Sequence, residues 1–154
     1  MTELHFNPIK GKALEILRAI LQTPEVSSCK LKDGMLLRLA CEEIVMNITS
    51  YAYPAGITCP TTEKPEMAHS EACPTTDYLY VEIDKKDGRI VICFKDGGIP
   101  FNPLEHKKPD TSLSWKQRPI GGLGIYLVLK KMDAVRYAYT ENQNVLTIEL
   151  NIEH

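Results

Sequence analysis

Glu43 and Asn47 lie four residues apart in the run Leu39-Ala40-Cys41-Glu42-Glu43-Ile44-Val45-Met46-Asn47-Ile48. On a helix, side chains at this spacing point about 40° apart, one turn above the other. Glu42 projects about 140° from Asn47, so Glu43 is the natural mate. A carboxylate and a carboxamide stacked on one helical face can serve a metal, a water or each other. Read alone, the pair is a solvated glutamate and a satisfied asparagine. It stands out because Leu36, Leu39, Ala40, Ile44 and Met46 otherwise mark a core helix, where polar groups need partners.

Two glycine clusters add to this chemistry. Asp96-Gly97-Gly98 follows a strand-like run, where a carboxylate can accept hydrogen bonds from a ligand amine and glycine lets the ligand approach the backbone. Gly121-Gly122-Leu123-Gly124 opens a helix-like run, where unpaired N–H groups favour anions. The second cluster lacks the Lys-Ser/Thr of a phosphate-binding Walker loop and the third glycine of a dinucleotide fingerprint. Each cluster by itself is no more than a tight turn.

The elements that must position these residues follow from periodicity. Thr2 to Pro8 alternates as a strand, and Gly11 to Gln22 carries Ala13, Leu14, Leu17, Ile20 and Leu21 at helical spacing before Thr23-Pro24 ends it. A long helix runs from about Leu31 to Ser50, closed by Tyr51-Ala52-Tyr53-Pro54-Ala55-Gly56. Ile57 to Asp77, rich in proline and threonine, reads as a mobile surface loop. Tyr78–Asp84 and Arg89–Phe94 form a hairpin across Lys85-Lys86-Asp87-Gly88, whose Asp-Gly suits positive φ. A polar, basic segment leads to Pro119, a helix runs to Met132, and Ala134–Thr140 with Val145–Ile152 closes a last hairpin across Glu141–Asn144. The order β-α-α-β-β-α-β-β predicts an α+β two-layer sandwich, a mostly antiparallel sheet with helices on one face.

At 154 residues the chain is expected to be one domain, 1–154. A net charge of −2 argues against a general nucleic-acid or membrane surface. No apolar run approaches 18 residues and no secretion signal is evident, which predicts a cytoplasmic protein. The five cysteines, Cys29, Cys41, Cys59, Cys73 and Cys93, form no C-x-x-C pair and read as reduced thiols.

In order, the chain carries Glu-x-x-x-Asn on a helix, Asp-x-Gly after a strand, a basic segment, Gly-x-Gly opening a helix, and a threonine in the last strand. In this it resembles the GHKL ATPases, the superfamily of gyrase-type ATPases, histidine kinases and mismatch-repair ATPases. Within them it is similar to the small anti-sigma factor serine/threonine kinases of bacterial partner-switching systems. Leu39–Asn47 looks like the family's N box, Asp96–Pro103 like its first glycine box, and Gly121–Val128 like its second.

The resemblance implies the Bergerat-type ATP-binding fold, with ATP and Mg²⁺ as cofactors. It implies Asn47 as the Mg²⁺ ligand, Glu43 as general base, and Asp96 at the adenine amino group, with Gly98 making room for the ring. Gly122, Leu123 and Gly124 would present backbone to the phosphates, and Thr147 would support the adenine contact. The basic stretch would be the ATP lid, from which Lys116 or Arg118 could reach a phosphate. Implied partners are an anti-sigma factor antagonist as phosphorylation substrate, a sigma factor, and a second copy in a homodimer. The chain departs from the family at Pro100, which breaks Asp-x-Gly-x-Gly, and at Tyr51, where many relatives carry histidine. Two other readings stand beside this one: a non-catalytic ATP-binding module, and a histidine kinase catalytic domain, disfavoured because no helical hairpin with a phospho-accepting histidine precedes it.

Overall fold

The computed structural model describes residues 1–53, 77–105 and 122–152. Five strands, β1 (Thr2–Phe6), β2 (Leu79–Lys86), β3 (Arg89–Asp96), β4 (Ala134–Thr140) and β5 (Gln143–Asn151), form one sheet in the order β1-β2-β3-β5-β4. Every neighbouring pair is antiparallel. The helices are α1 (Ala13–Leu21), α2 (Pro24–Ser27), α3 (Leu31–Asn47) and α4 (Gly122–Lys131). The expected α+β sandwich is therefore present, with a wholly antiparallel sheet.

Alternation along the strands decides which face the helices cover. Leu79, Val81 and Ile83 of β2, Ile90, Ile92 and Phe94 of β3, and Leu146, Ile148 and Leu150 of β5 are buried in one cluster. Ile16, Leu17 and Ile20 of α1, Leu37, Cys41, Ile44 and Val45 of α3, and Ile125 and Val128 of α4 complete it. The residues between them on the strands face away from the helices. There Glu149 is clamped by Arg89 and Arg136, whose hydrogen bonds hold its carboxyl below the usual carboxylate range. Burial in the core pushes the Cys41 thiol up to about 12, so it stays a neutral packing group.

Both hairpins close through two-residue turns. Asp87 and Gly88 have φ of 52° and 70°, and Glu141 and Asn142 have φ of 53° and 60°. Paired positive φ values match the twist of the flanking strands and hold them in tight register. The first is confined to Asp87-Gly88, with Lys85 and Lys86 in β2 rather than in the expected four-residue turn. The second is shorter than expected, so β5 begins at Gln143 and Asn144 belongs to the strand.

Helical details differ from the sequence reading at two places. Pro24 ends α1 and also starts α2, because proline at a first helical position surrenders an N–H that has no partner anyway. The long helix does not run to Ser50 as an α-helix: α3 stops at Asn47 and the chain widens into a π-helical turn, Ile48–Ala52. The Thr49 hydroxyl donates to the Val45 carbonyl at 2.9 Å, a back-bond that loosens the regular ladder. The widened turn carries Tyr51 and Ala52 toward the end of β3.

Phe94 is fully buried at the centre of this core. Phe94→Ala should cost about 3–5 kcal/mol. Urea unfolding should report it as a lower midpoint with an unchanged slope.

Candidate functional site: a cleft between the sheet and the helix ends

A cavity of about 180 Å³ opens where α3 and its π-helical turn meet the ends of β3 and β5. Ile44, Ile48, Ile99, Phe101, Ile125 and Leu146 make its wall mostly apolar, and Asn47, Asp96 and Asn144 supply its few polar groups. An apolar cavity of about 150 Å³ already accepts a benzene ring, so this one suits a flat heterocycle. Few polar groups in an apolar cleft is the composition of a site that orients one small molecule.

Asp96 closes β3 and is 4% exposed. Its Oδ1 accepts from the Gly98 N–H at 2.9 Å and from the Asn144 carboxamide at 3.0 Å. Oδ2 accepts no hydrogen bond among the described residues, so this oxygen is the one left for a ligand. Burial raises the Asp96 pKa, against the lowering effect of the Asn144 and Gly98 hydrogen bonds.

Gly98 makes room, but through protein backbone. A Cβ there would lie 2.6 Å from the Ala52 Cβ and would collide with the Ala52 carbonyl. That carbonyl accepts from the Ile99 N–H at 2.9 Å, which binds the π-helical turn to the chain leaving β3. Tyr53 strengthens the same junction. Its hydroxyl donates to the Tyr78 carbonyl at 2.8 Å and accepts from the Gly97 N–H at 2.7 Å. Burial pushes the Tyr53 phenol well above its ordinary value, which keeps it a protonated donor at any working pH.

On the helix side, Glu43 and Asn47 are half-buried while Glu42 is exposed, as their spacing predicts. Asn47 lines the cavity. Glu43 lies beyond it, against the first turn of α4: a Cβ at Gly124 would fall within the Glu43 carboxylate. Gly122, Leu123 and Gly124 form that first turn, whose N–H groups have no intrahelical acceptor and whose dipole favours an anion. The Asn47 carboxamide makes no hydrogen bond among the described residues, so its hard oxygen is available. Mg²⁺ fits such a donor, since it is usually held by one or two side chains together with phosphates and water. Among the described residues no three His, Cys, Asp or Glu gather into a site that would hold a metal unaided.

The structure thus brings Asn47 and Asp96 to one cleft, with Gly98 packed against Ala52 and with Glu43 and the start of α4 beside it. It does not bring Thr147 there. Thr147 pairs with Cys93 and Arg136 and projects from the face opposite the helices, because the tight β4–β5 turn places Asn144 directly across from Asp96. Asn144 is the residue that the sequence reading missed. The sequence places it in a four-residue loop, whereas the positive φ of Glu141 and Asn142 puts it in the strand. Tyr51, to which no role was given, also lines the cleft. Arg118, Lys116 and the rest of the basic stretch from residue 106 to 121 lie outside the described residues, as do residues 54–76 of the polar loop.

Two outcomes follow. The elevated Asp96 pKa means that its contribution to stability is complete below the ordinary aspartate value, about 3.9, and is lost as pH rises through the folded value. Asp96→Asn should therefore raise the thermal midpoint of the ligand-free protein at neutral pH, and the two midpoints should converge as pH falls toward about 4. Separately, Gly124→Ala should force the Glu43 carboxylate away from the opening of α4, which a lower thermal midpoint of the ligand-free protein would report.

The chain matches the family described as the histidine kinase-like ATPase domain over residues 10–150. No curated protein matches it in sequence. Among solved structures it is similar to the Acinetobacter baumannii histidine kinase AdeS, with a TM-score of 0.50 and 12% identity, covering 100% of this chain and 69% of that one. At that identity the likeness speaks for the fold alone. The family match embraces α1 through β5, both glycine clusters and the Glu43–Asn47 pair, and the chain belongs to the histidine kinase-like ATPase domain family, whose fold binds ATP.

Proposed function

We propose that this protein is an ATP-dependent serine/threonine kinase of a bacterial partner-switching system. It phosphorylates an anti-sigma factor antagonist and, when that antagonist is unavailable, sequesters a sigma factor. The observation that carries this reading is the placement of Glu43, a half-buried carboxylate one turn before Asn47 and in contact with Gly124 at the opening of α4.

The chain's own groups divide the work. Asp96 accepts from the adenine amino group in the apolar cleft, and the first turn of α4 offers N–H groups to the phosphates. Asn47 would hold Mg²⁺, which when bound offsets the charge of those phosphates. Glu43 takes the proton of the substrate serine hydroxyl as its oxygen bonds to the γ-phosphorus. The bond from that phosphorus to the β,γ-bridging oxygen breaks, and ADP leaves with the electron pair. A homodimer, implied by the same resemblance, belongs to this proposal. Among the described residues no helix is long and apolar enough to cross a membrane.

Incubation with ATP, Mg²⁺ and a small anti-sigma factor antagonist protein should place phosphate on serine. Glu43→Gln should reduce the transfer rate by about 10²–10⁴-fold and leave the Kd for ATP near wild type. Glu42→Gln, on the exposed side of α3, should transfer phosphate at close to the normal rate. Absence of transfer by wild type despite ATP binding would replace this reading with that of a regulatory module controlled by the nucleotide.

A further inference from the structure

Asn144 is 5% exposed and, among the described residues, holds more polar contacts than any other side chain lining the cleft. Its Oδ1 accepts from the Phe101 N–H at 3.0 Å and from the Tyr137 hydroxyl. Its Nδ2 donates to Asp96 Oδ1 at 3.0 Å and to the Ile99 carbonyl at 2.9 Å, with the Gly98 carbonyl at 3.4 Å. An N–H donor on one side and carbonyl acceptors on the other leave the carboxamide only one orientation. A flipped amide would set its oxygen against the Ile99 carbonyl and its NH₂ against the Phe101 N–H.

That fixed orientation has a consequence for Asp96. Oδ1 receives two donors, Asn144 and Gly98, and is committed to the protein. Two donors on one oxygen hold the carboxyl plane in place and favour the ionised form, against its burial. Asp96 lines the cavity, and its remaining oxygen, Oδ2, has no donor among the described residues. A 6-amino group on a purine satisfies it. A 6-oxo group would set oxygen against oxygen.

We propose that Asn144 is the positioning residue for base recognition, which locks Asp96 as an acceptor and so makes the cleft selective for 6-amino purines. The same carboxamide also bonds to the backbone of Ile99 and Phe101, two wall residues. The inference rests on reading the cleft as the seat of a nucleotide base.

The test compares the Kd of ATP with that of purine riboside triphosphate, which lacks only the 6-amino group. Wild type should prefer ATP by about tenfold or more, the effect of one hydrogen bond to a charged acceptor. Asn144→Ala should weaken ATP and leave the analogue within about threefold, so that the ratio collapses toward one. Asn144→Thr keeps a hydroxyl that can donate to Asp96, and its ratio should stay within about threefold of wild type. Equal loss of both ligands in Asn144→Ala would mark a purely structural role and overturn the proposal. An Asn144→Thr protein that folds, by circular dichroism, but does not discriminate would overturn it as well, whether or not the Ala variant folds. Wild type that binds both ligands equally tightly refutes this inference and leaves the nucleotide reading standing. Wild type that binds neither refutes the nucleotide reading itself.

Discussion

Backbone contact between Ala52 and the Gly98–Ile99 segment is the constraint on which the rest of the site depends. Two layers of an α+β sandwich normally meet through side chains, about 10 Å apart. Here the end of a helix and the end of a strand come close enough to share a backbone hydrogen bond, and only glycine fits at the crossing. The cleft is the space left where the layers separate again on either side of that crossing. Its wall therefore combines residues from α3 and the π-helical turn that continues it with residues from the chain beyond β3.

The geometry of α3 turns this junction into a site with two chemically distinct ends. Ile44 and Ile48 continue the core stripe into the cleft, and Asn47 enters between them on the adjoining face. One turn earlier, Glu43 has left the cleft and lies on the opening of α4. A carboxylate beside unpaired helix N–H groups competes with any other anion for that position. Gly124 lets it sit close without a side chain in the way. Buried Asp96 adds a second tension, because its desolvation opposes folding in the ligand-free state. Strain of this kind is common where binding requires an ionised group in an apolar wall.

Much of this was legible in the sequence where a single periodicity governs. The amphipathic spacing of α1, the alternation in β2 and β3, and the Asp87-Gly88 turn each act locally. The shared face of Glu43 and Asn47 followed from helical geometry alone. What was not legible depended on context. Proline at Pro24 is a stop signal for one helix and a start signal for the next, and only the packed chain distinguishes the two. The π-helical turn has no period of its own, so Tyr51 and Tyr53 read as punctuation after a helix. The resemblance implies an adenine contact for Thr147, but the register pairs it with Cys93 and Arg136 on the face away from the helices. Counting Asn144 as part of the turn removed it from the very face that it occupies.

The brevity of that second turn reaches beyond the hairpin. Side chains on a strand alternate with a period of two, so any one-residue change in the pairing moves each of them to the opposite face. Asn144 stands two residues from Asn142, at the end of the ladder nearest the turn. A single residue inserted at this solvent-facing tip, if absorbed as a slip of β5 along β3, would exchange Asn144 with a neighbour facing away from the helices. The core would lose Leu146, Ile148 and Leu150 in the same movement. Hairpin tips are ordinarily where chains tolerate length variation. In this protein the tip is bound to the binding site through the register, and its length is as constrained as the identity of Asp96.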